Sequence, residues 1–83
     1  MKTVIKYEAG WCQPCKAYSP TFNRVAGEVP GVSFQSIDVD SGDPRILEHG
    51  IRNVPTTVVV ENGVVKNRKS GNLSADQLKA LIG

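Results

Sequence analysis

The sequence holds few of the residues from which most binding and catalytic sites are built. Its 83 residues include two cysteines, one histidine, one tryptophan and one methionine. Cys12 and Cys15 are separated only by Gln13 and Pro14, so they cannot tie distant segments into a disulfide framework. A zinc site takes four ligands. Cys12, Cys15 and His49 supply three at most, so no metal is expected unless a second copy shares it. A charge excess is missing too. Ten Lys and Arg against eight Asp and Glu leave +2, too little for the basic footprint of a nucleic-acid binder. No apolar run approaches the ~20 residues of a membrane span. Met1-Lys2-Thr3-Val4-Ile5 lacks the apolar core of a signal peptide, so a cytoplasmic address is expected.

What remains is ordinary globular composition, 40% hydrophobic and 22% charged. At 83 residues, without repeats or long linkers, the chain is expected to form one domain over residues 1–83. A chain this short buries only about 60% of its unfolded surface, so its elements must be well capped and well packed.

Thr3 to Tyr7, β-branched and aromatic and followed by Ala9-Gly10, reads as a strand. A helix starts close to Cys12, because Pro14 is tolerated in a first turn, where its missing N–H has no helical partner. Cys15, Tyr18, Phe22, Val25 and Ala26 recur at helical spacing, and Pro20 predicts a kink in one helix rather than two helices. Val32 to Ile37 alternates as a second strand. Asp43-Pro44 opens and Gly50 closes a helix expected to run about two turns. Thr56 to Val60 is an unbroken β-branched run, the pattern of a strand buried on both faces. Asn62-Gly63 signals a tight hairpin, with Val64 to Lys69 returning at an edge. Ser74 and Gln77 form a capping box, with Leu73 and Leu78 as its hydrophobic staple, at the start of a last helix.

The order β-α-β-α-β-β-α implies an α/β fold. A parallel crossover in the first half and an antiparallel hairpin in the second give a mixed four-stranded sheet. The first and third strands should be central, with helices on both faces.

The cysteines stand where the first strand gives way to the first helix. A helix N-terminus carries partial positive charge and unpaired N–H groups, and it favours a thiolate over a thiol. Cys12 is therefore expected to be the acidic, exposed thiol. Cys15, one turn further in, is the shielded one, close enough to form a disulfide. An accessible thiolate attacks a substrate disulfide and a second thiol resolves the mixed disulfide. A two-residue loop is too small for a purely structural bridge to stabilise much. Pro14 stiffens the turn, and Lys16 is the nearest downstream cation, expected in solvent. Val54-Pro55-Thr56, read from residues alone, is a trans proline starting a strand.

Trp11-Cys12-Gln13-Pro14-Cys15-Lys16, Pro20, Asp38-Val39-Asp40, Gly50 to Thr56, Asn62-Gly63 and Gly71-Asn72-Leu73-Ser74 together resemble the thioredoxin family, in order and spacing, over essentially the whole chain. The resemblance implies the thioredoxin fold and a protein-disulfide reductase. Cys12 would attack and Cys15 resolve, Pro55 would be cis and face the disulfide, and Val54 would offer its backbone to an extended substrate segment. Trp11, Val54 and the Gly71-Asn72 loop would rim the contact surface. It further implies a monomer whose redox-active disulfide is its only prosthetic feature. Its partners would be disulfide-containing proteins and an NADPH-dependent thioredoxin reductase. Two alternatives stand beside this reading. A glutaredoxin-like protein reduced by glutathione suits the short core, although Cys-Pro-Tyr-Cys and a Gly-Gly-Asp site are lacking. A binding module would use the surface around Trp11 without redox turnover.

The departures from the family pattern are specific. The family begins with a further strand and helix, for which this chain is expected to have no room. The buried Asp that the family carries on this strand is replaced by Lys6, and its lysine partner aligns with Ser36, so that buried acid–base pair is expected to be absent. Lys6 either snorkels to an uncovered surface or acts as a cation near Cys15 that tunes it. Glu8, where the family often has Trp, either tunes the site as well or, as is expected, is an exposed loop carboxylate. Gln13 replaces Gly between the cysteines and bears on the reduction potential. Lys66, Arg68 and Lys69 read as a solvated edge, with a docking patch for an acidic partner as the alternative, and His49 as a helix-end charge with no nearby nucleophile or ligand.

Overall fold

In the computed structural model, which describes residues 1–83, seven elements follow the expected order. They are β1 Lys2–Glu8, α1 Gln13–Glu28, β2 Ser33–Asp38, α2 Arg45–Glu48, β3 Thr56–Glu61, β4 Val64–Ser70 and α3 Ala75–Ile82. The sheet runs β2-β1-β3-β4. β1 is parallel to β2 and antiparallel to β3, and β3 is antiparallel to β4. β1 and β3 are therefore the central strands, and both are buried on two faces.

Strand alternation divides the core into two layers. Val4 and Val59 face Tyr18, Phe22 and Val25 of α1 and Leu78 and Ile82 of α3. Ile5, Tyr7 and Val58 face the other way, with Ile37, and Ile46 and Ile51 pack on them from around α2. Phe22 stands edge-on to both Tyr18 and Phe34, with ring centroids 5.9 and 5.4 Å apart. Each such large side chain contributes roughly 1.5–3 kcal/mol through burial.

α1 is a single helix with Pro20 inside it, as expected. The hairpin also follows the sequence signal. Asn62 and Gly63 have φ of 54° and 82°, the positive pair that a type I′ turn requires. Opposite β3, Val59 pairs with Asn67 and Val60 with Val65, so Lys66 is the extra residue of a bulge on the exposed edge strand. The capping box of α3 is complete. Gln77 N–H donates to Ser74 Oγ at 3.1 Å, and Ser74 N–H donates to Gln77 Oε1 at 2.9 Å.

α2 differs from the expected two turns. Its regular part is the single turn Arg45–Glu48, preceded by Pro44 in helical conformation. The stop at Gly50 is where it was expected and takes the form of a Schellman closure: Gly50, at φ 62°, donates to Leu47 O, and Ile51 donates to Ile46 O. That closure turns Ile51 back beside Ile46 on the sheet. No helix of the protein is long and apolar enough to cross a membrane.

Candidate redox site

β1 ends at Glu8, and a turn closed by Cys12 N–H on Ala9 O at 3.1 Å delivers the chain into α1. Cys12 is the N-cap of α1, with extended backbone at φ −93° and ψ 108°. Its Sγ accepts the N–H of Cys15 at 3.2 Å, so one orphan donor of the helix points at sulfur. Cys12 and Cys15 are joined in a disulfide, their Cα atoms 5.3 Å apart. Pro14 occupies the first turn as expected, and Gln13 and Pro14 lie exposed beside the sulfurs.

The expected exposure of Cys12 is not found. Cys12 is 4% exposed and Cys15 2%. The disulfide turns both sulfurs inward, where Ala9 packs with them and Val39 and Val54 lie against the cluster. The difference between the two thiols that the sequence suggests therefore does not show as a difference in burial when the pair is oxidised.

The peptide bond between Val54 and Pro55 is cis, in line with the family resemblance and against the residue-only reading. Val54 packs against the cysteine cluster, and its N–H and C=O make no backbone hydrogen bond within the chain. Gly71 N–H donates to Pro55 O at 2.8 Å, which brings the exposed Gly71-Asn72 loop beside the proline. Thr56 Oγ1 donates to Asn53 O at 2.7 Å, and Ser70 Oγ donates to Asn53 Oδ1 at 2.9 Å. This Asn53-Thr56-Ser70 network pins the loop to the end of β4. Sequence reasoning missed it, because three small polar residues in three segments carry no local pattern.

Trp11 is 68% exposed, and its Nε1–H donates to Asp40 Oδ2 at 3.1 Å. It borders an open groove of about 480 Å³ whose apolar lining is Val39, Ile46, Ile51 and Val54, with Arg52 and Asn53 at its edge. The structure thus brings Trp11 and Val54 to one groove and Pro55 and Gly71 into contact.

Lys6 overturns the snorkelling expectation. It is 3% exposed, because it shares a strand face with Val4 and points at α1. Its ammonium lies 2.7 Å from Glu8 Oε1, donates to Ser19 Oγ at 2.7 Å and sits 5.2 Å from the centre of the Phe22 ring. Glu8 is correspondingly the last residue of β1, with a side chain 33% exposed, and not a free loop carboxylate. The site does hold an acid–base pair near Cys15, with the signs placed differently from the family pattern, while Ser36, beside Lys6 in register, is exposed. Ser19 also escaped the sequence reading. The available signal was its position one helical turn after Cys15, on the same side of α1. A small open cavity of about 190 Å³ is lined by Glu8, Cys15, Lys16, Ser19 and Asp38.

His49 makes a hydrogen bond that the sequence did not announce. Its Nδ1 is 2.6 Å from the hydroxyl of fully buried Tyr7, whose pKa burial pushes above the usual phenol value. Arg68, expected to be simply solvated, donates to the carbonyls of His49 and Gly50 from its place on β4.

The thioredoxin family model matches residues 1–83. Thioredoxin of Mycoplasmoides gallisepticum is 32% identical over 81 residues, 98% of this chain and 81% of that protein. Thioredoxin of Mycoplasma genitalium is 38% identical over 68 residues, 82% of this chain and 67% of that protein. The X-ray structure of Fasciola hepatica thioredoxin is similar with a TM-score of 0.89 at 30% identity, over 98% of this chain and 77% of that one. A family match over every residue, on a fold whose first strand-to-helix turn holds a closed Cys-x-x-Cys pair, makes this chain a member of the thioredoxin family and a thiol–disulfide oxidoreductase.

Proposed function

We propose that the protein reduces disulfides in other proteins, as one domain and as a cytoplasmic monomer. The reduced form begins the cycle. Cys12, at the N-cap of α1, attacks one sulfur of the substrate disulfide as a thiolate; the substrate S–S bond breaks and one substrate thiol leaves. Cys15 then attacks Cys12 Sγ, releasing the second substrate thiol and closing the Cys12–Cys15 disulfide. Two electrons and two protons pass to the substrate. Restoring the dithiol takes the same number from a partner, proposed to be an NADPH-dependent thioredoxin reductase.

The observation that best supports a protein substrate is the free backbone of Val54 against the cysteine cluster. An extended segment could pair with its N–H and C=O, placing a disulfide over the cysteines without reading much sequence. Trp11, Pro55, Gly71 and Asn72 complete that contact surface in this reading. The thiolate of Cys12 draws its stability from the first turn of α1, including the Cys15 N–H already aimed at its sulfur.

Insulin reduction by dithiothreitol, followed by turbidity, tests the activity. The wild type should shorten the lag and Cys12→Ser should not. Identical traces would leave a binding module as the better account. Offering the oxidised protein either NADPH with thioredoxin reductase or glutathione decides the electron donor. Thiols regenerated by glutathione alone would favour the glutaredoxin-like alternative.

A further inference from the structure

Lys6 is the least solvated charge in the protein, and the mechanism above gives it no task. Its ammonium can only donate hydrogen bonds. Ser19 Oγ therefore accepts from Lys6, and its own proton goes to the carbonyl of Cys15, 3.0 Å away. A single hydroxyl separates the buried cation from the backbone of the second cysteine. The direction of this chain has no ambiguity, and a chain of aligned donors strengthens each of its bonds.

Glu8 opposes the charge of Lys6, but the two charges are not equally screened. Lys6 is 3% exposed, whereas Glu8 is 33% exposed. Solvent weakens the field of the carboxylate more than that of the ammonium, so the pair acts as a dipole with its positive end toward Ser19. The other ionisable groups on the Cys15 cavity are Lys16 and Asp38. Both are exposed, and Asp38 Oδ1 is held by the N–H of Asp40 at 2.8 Å.

We propose that Lys6, acting through Ser19, is a positioning residue that keeps the Cys15 thiol acidic, with Glu8 serving as the counter-ion of Lys6 and not as the acceptor of the Cys15 proton. This rests on the proposed roles of the two cysteines. The thiol proton of Cys15 passes to water in the adjoining cavity. The thiolate then attacks Cys12 Sγ, the bond from Cys12 to the substrate sulfur breaks, and the departing substrate thiolate takes a proton from water. The cation promotes the step by favouring the charged form of Cys15, its field reaching that residue by way of the Ser19 hydroxyl that donates to the Cys15 carbonyl.

The test is the titration of Cys15 in a Cys12→Ser background, read from its carbon-13 Cβ chemical shift by NMR. A second readout is the rate at which a mixed disulfide at Cys12 is resolved in the otherwise native protein. Ser19→Ala and Lys6→Met should each raise the Cys15 midpoint by about one pH unit and slow resolution at pH 7, with rates converging on the wild type above the raised midpoint. Ser19→Thr should keep wild-type values. Glu8→Gln should lower the midpoint, because it removes the counter-charge. An unmoved midpoint in Ser19→Ala overturns the proposal, and so does a raised midpoint or slowed resolution in Glu8→Gln, which would mark the carboxylate as a proton acceptor. If Lys6→Met fails to fold, Ser19→Ala and Glu8→Gln decide alone. The NMR titration needs no substrate, so its result stands apart from whether insulin is reduced.

Discussion

The amide of Gly71 donates to the carbonyl of Pro55 at 2.8 Å, and this one bond joins the loop after β4 to the loop before β3 at the edge of the cysteine site. Gly71 adopts φ 97°, a region that residues with a Cβ avoid, yet a Cβ there would meet nothing within 4 Å. The demand for glycine is therefore conformational and not steric. Gly71→Ala should cost about 1–2 kcal/mol of stability, measurable by urea denaturation. It should also raise KM for a protein disulfide with little change in kcat, since the loop shapes the contact surface and carries no reacting group. An alanine variant with native stability and native KM would remove Gly71 from that surface.

Separating the two cysteines by substitution should give opposite covalent outcomes. With Cys15→Ser the attack by Cys12 can proceed and resolution cannot, so a mixed disulfide with insulin should accumulate and survive non-reducing electrophoresis until dithiothreitol is added. With Cys12→Ser no adduct should form. Adducts appearing in Cys12→Ser at the same rate would reverse the two roles. Both variants lack the bridge, but a loop closed by so few residues contributes little chain entropy, and neither should unfold.

Acid should unpick a second, separate feature. Asp43 accepts Arg45 Nη2 at 2.9 Å on one oxygen and Arg45 Nε at 3.1 Å and N–H at 2.9 Å on the other, and these bonds pull its pKa down to about 2. A carboxyl with a depressed folded-state pKa contributes stability above its unfolded value, about 3.9, and loses it as pH falls through the folded value. Part of the protein's acid sensitivity should therefore lie between pH 4 and 2. Asp43→Asn should lower Tm at pH 6 and flatten its fall across that window. A parallel fall in both proteins would mean that the pair contributes nothing to acid stability.

How much of this was legible in the sequence depended on how local each device is. Asn62-Gly63 and Ser74 with Gln77 act over a few residues, so the turn and the capping box could be read directly, and the unbroken run of Thr56 to Val60 marked a central strand. Gly50 was visible as the stop of α2, but the return of Ile51 onto Ile46 could not be read, because it depends on the sheet beneath. At the site, the cysteines and the proline were legible through spacing. Lys6 was visible as a departure, but its burial was not, since Phe22 and Ser19 come to it only when α1 packs on β1. The same holds for Tyr7 and His49, which meet across the packing of α2 on the sheet. The exposure expected of Cys12 failed for a different reason, since it described an open thiol and the pair here is closed.

Trp11 should separate binding from folding. It is 68% exposed and holds only Asp40 through its indole N–H, so few contacts of the fold depend on it. Surface substitutions of this kind usually shift stability within about 0.5 kcal/mol. Trp11→Ala should therefore leave the urea midpoint nearly unchanged. Its ring borders the groove formed by Val39, Ile46, Ile51 and Val54, where an aromatic anchor would bury apolar area against a docked segment. Losing about 1.4 kcal/mol of that contact is a tenfold loss of affinity, so KM for insulin should rise about tenfold while the reaction of Cys12 with a small disulfide such as 5,5′-dithiobis(2-nitrobenzoate) stays close to the wild-type rate. Asp40→Asn keeps an oxygen that can accept the indole N–H, so it should resemble the wild type. If Trp11→Ala slows the small disulfide as much as the protein one, the indole acts on the thiol itself and not on docking.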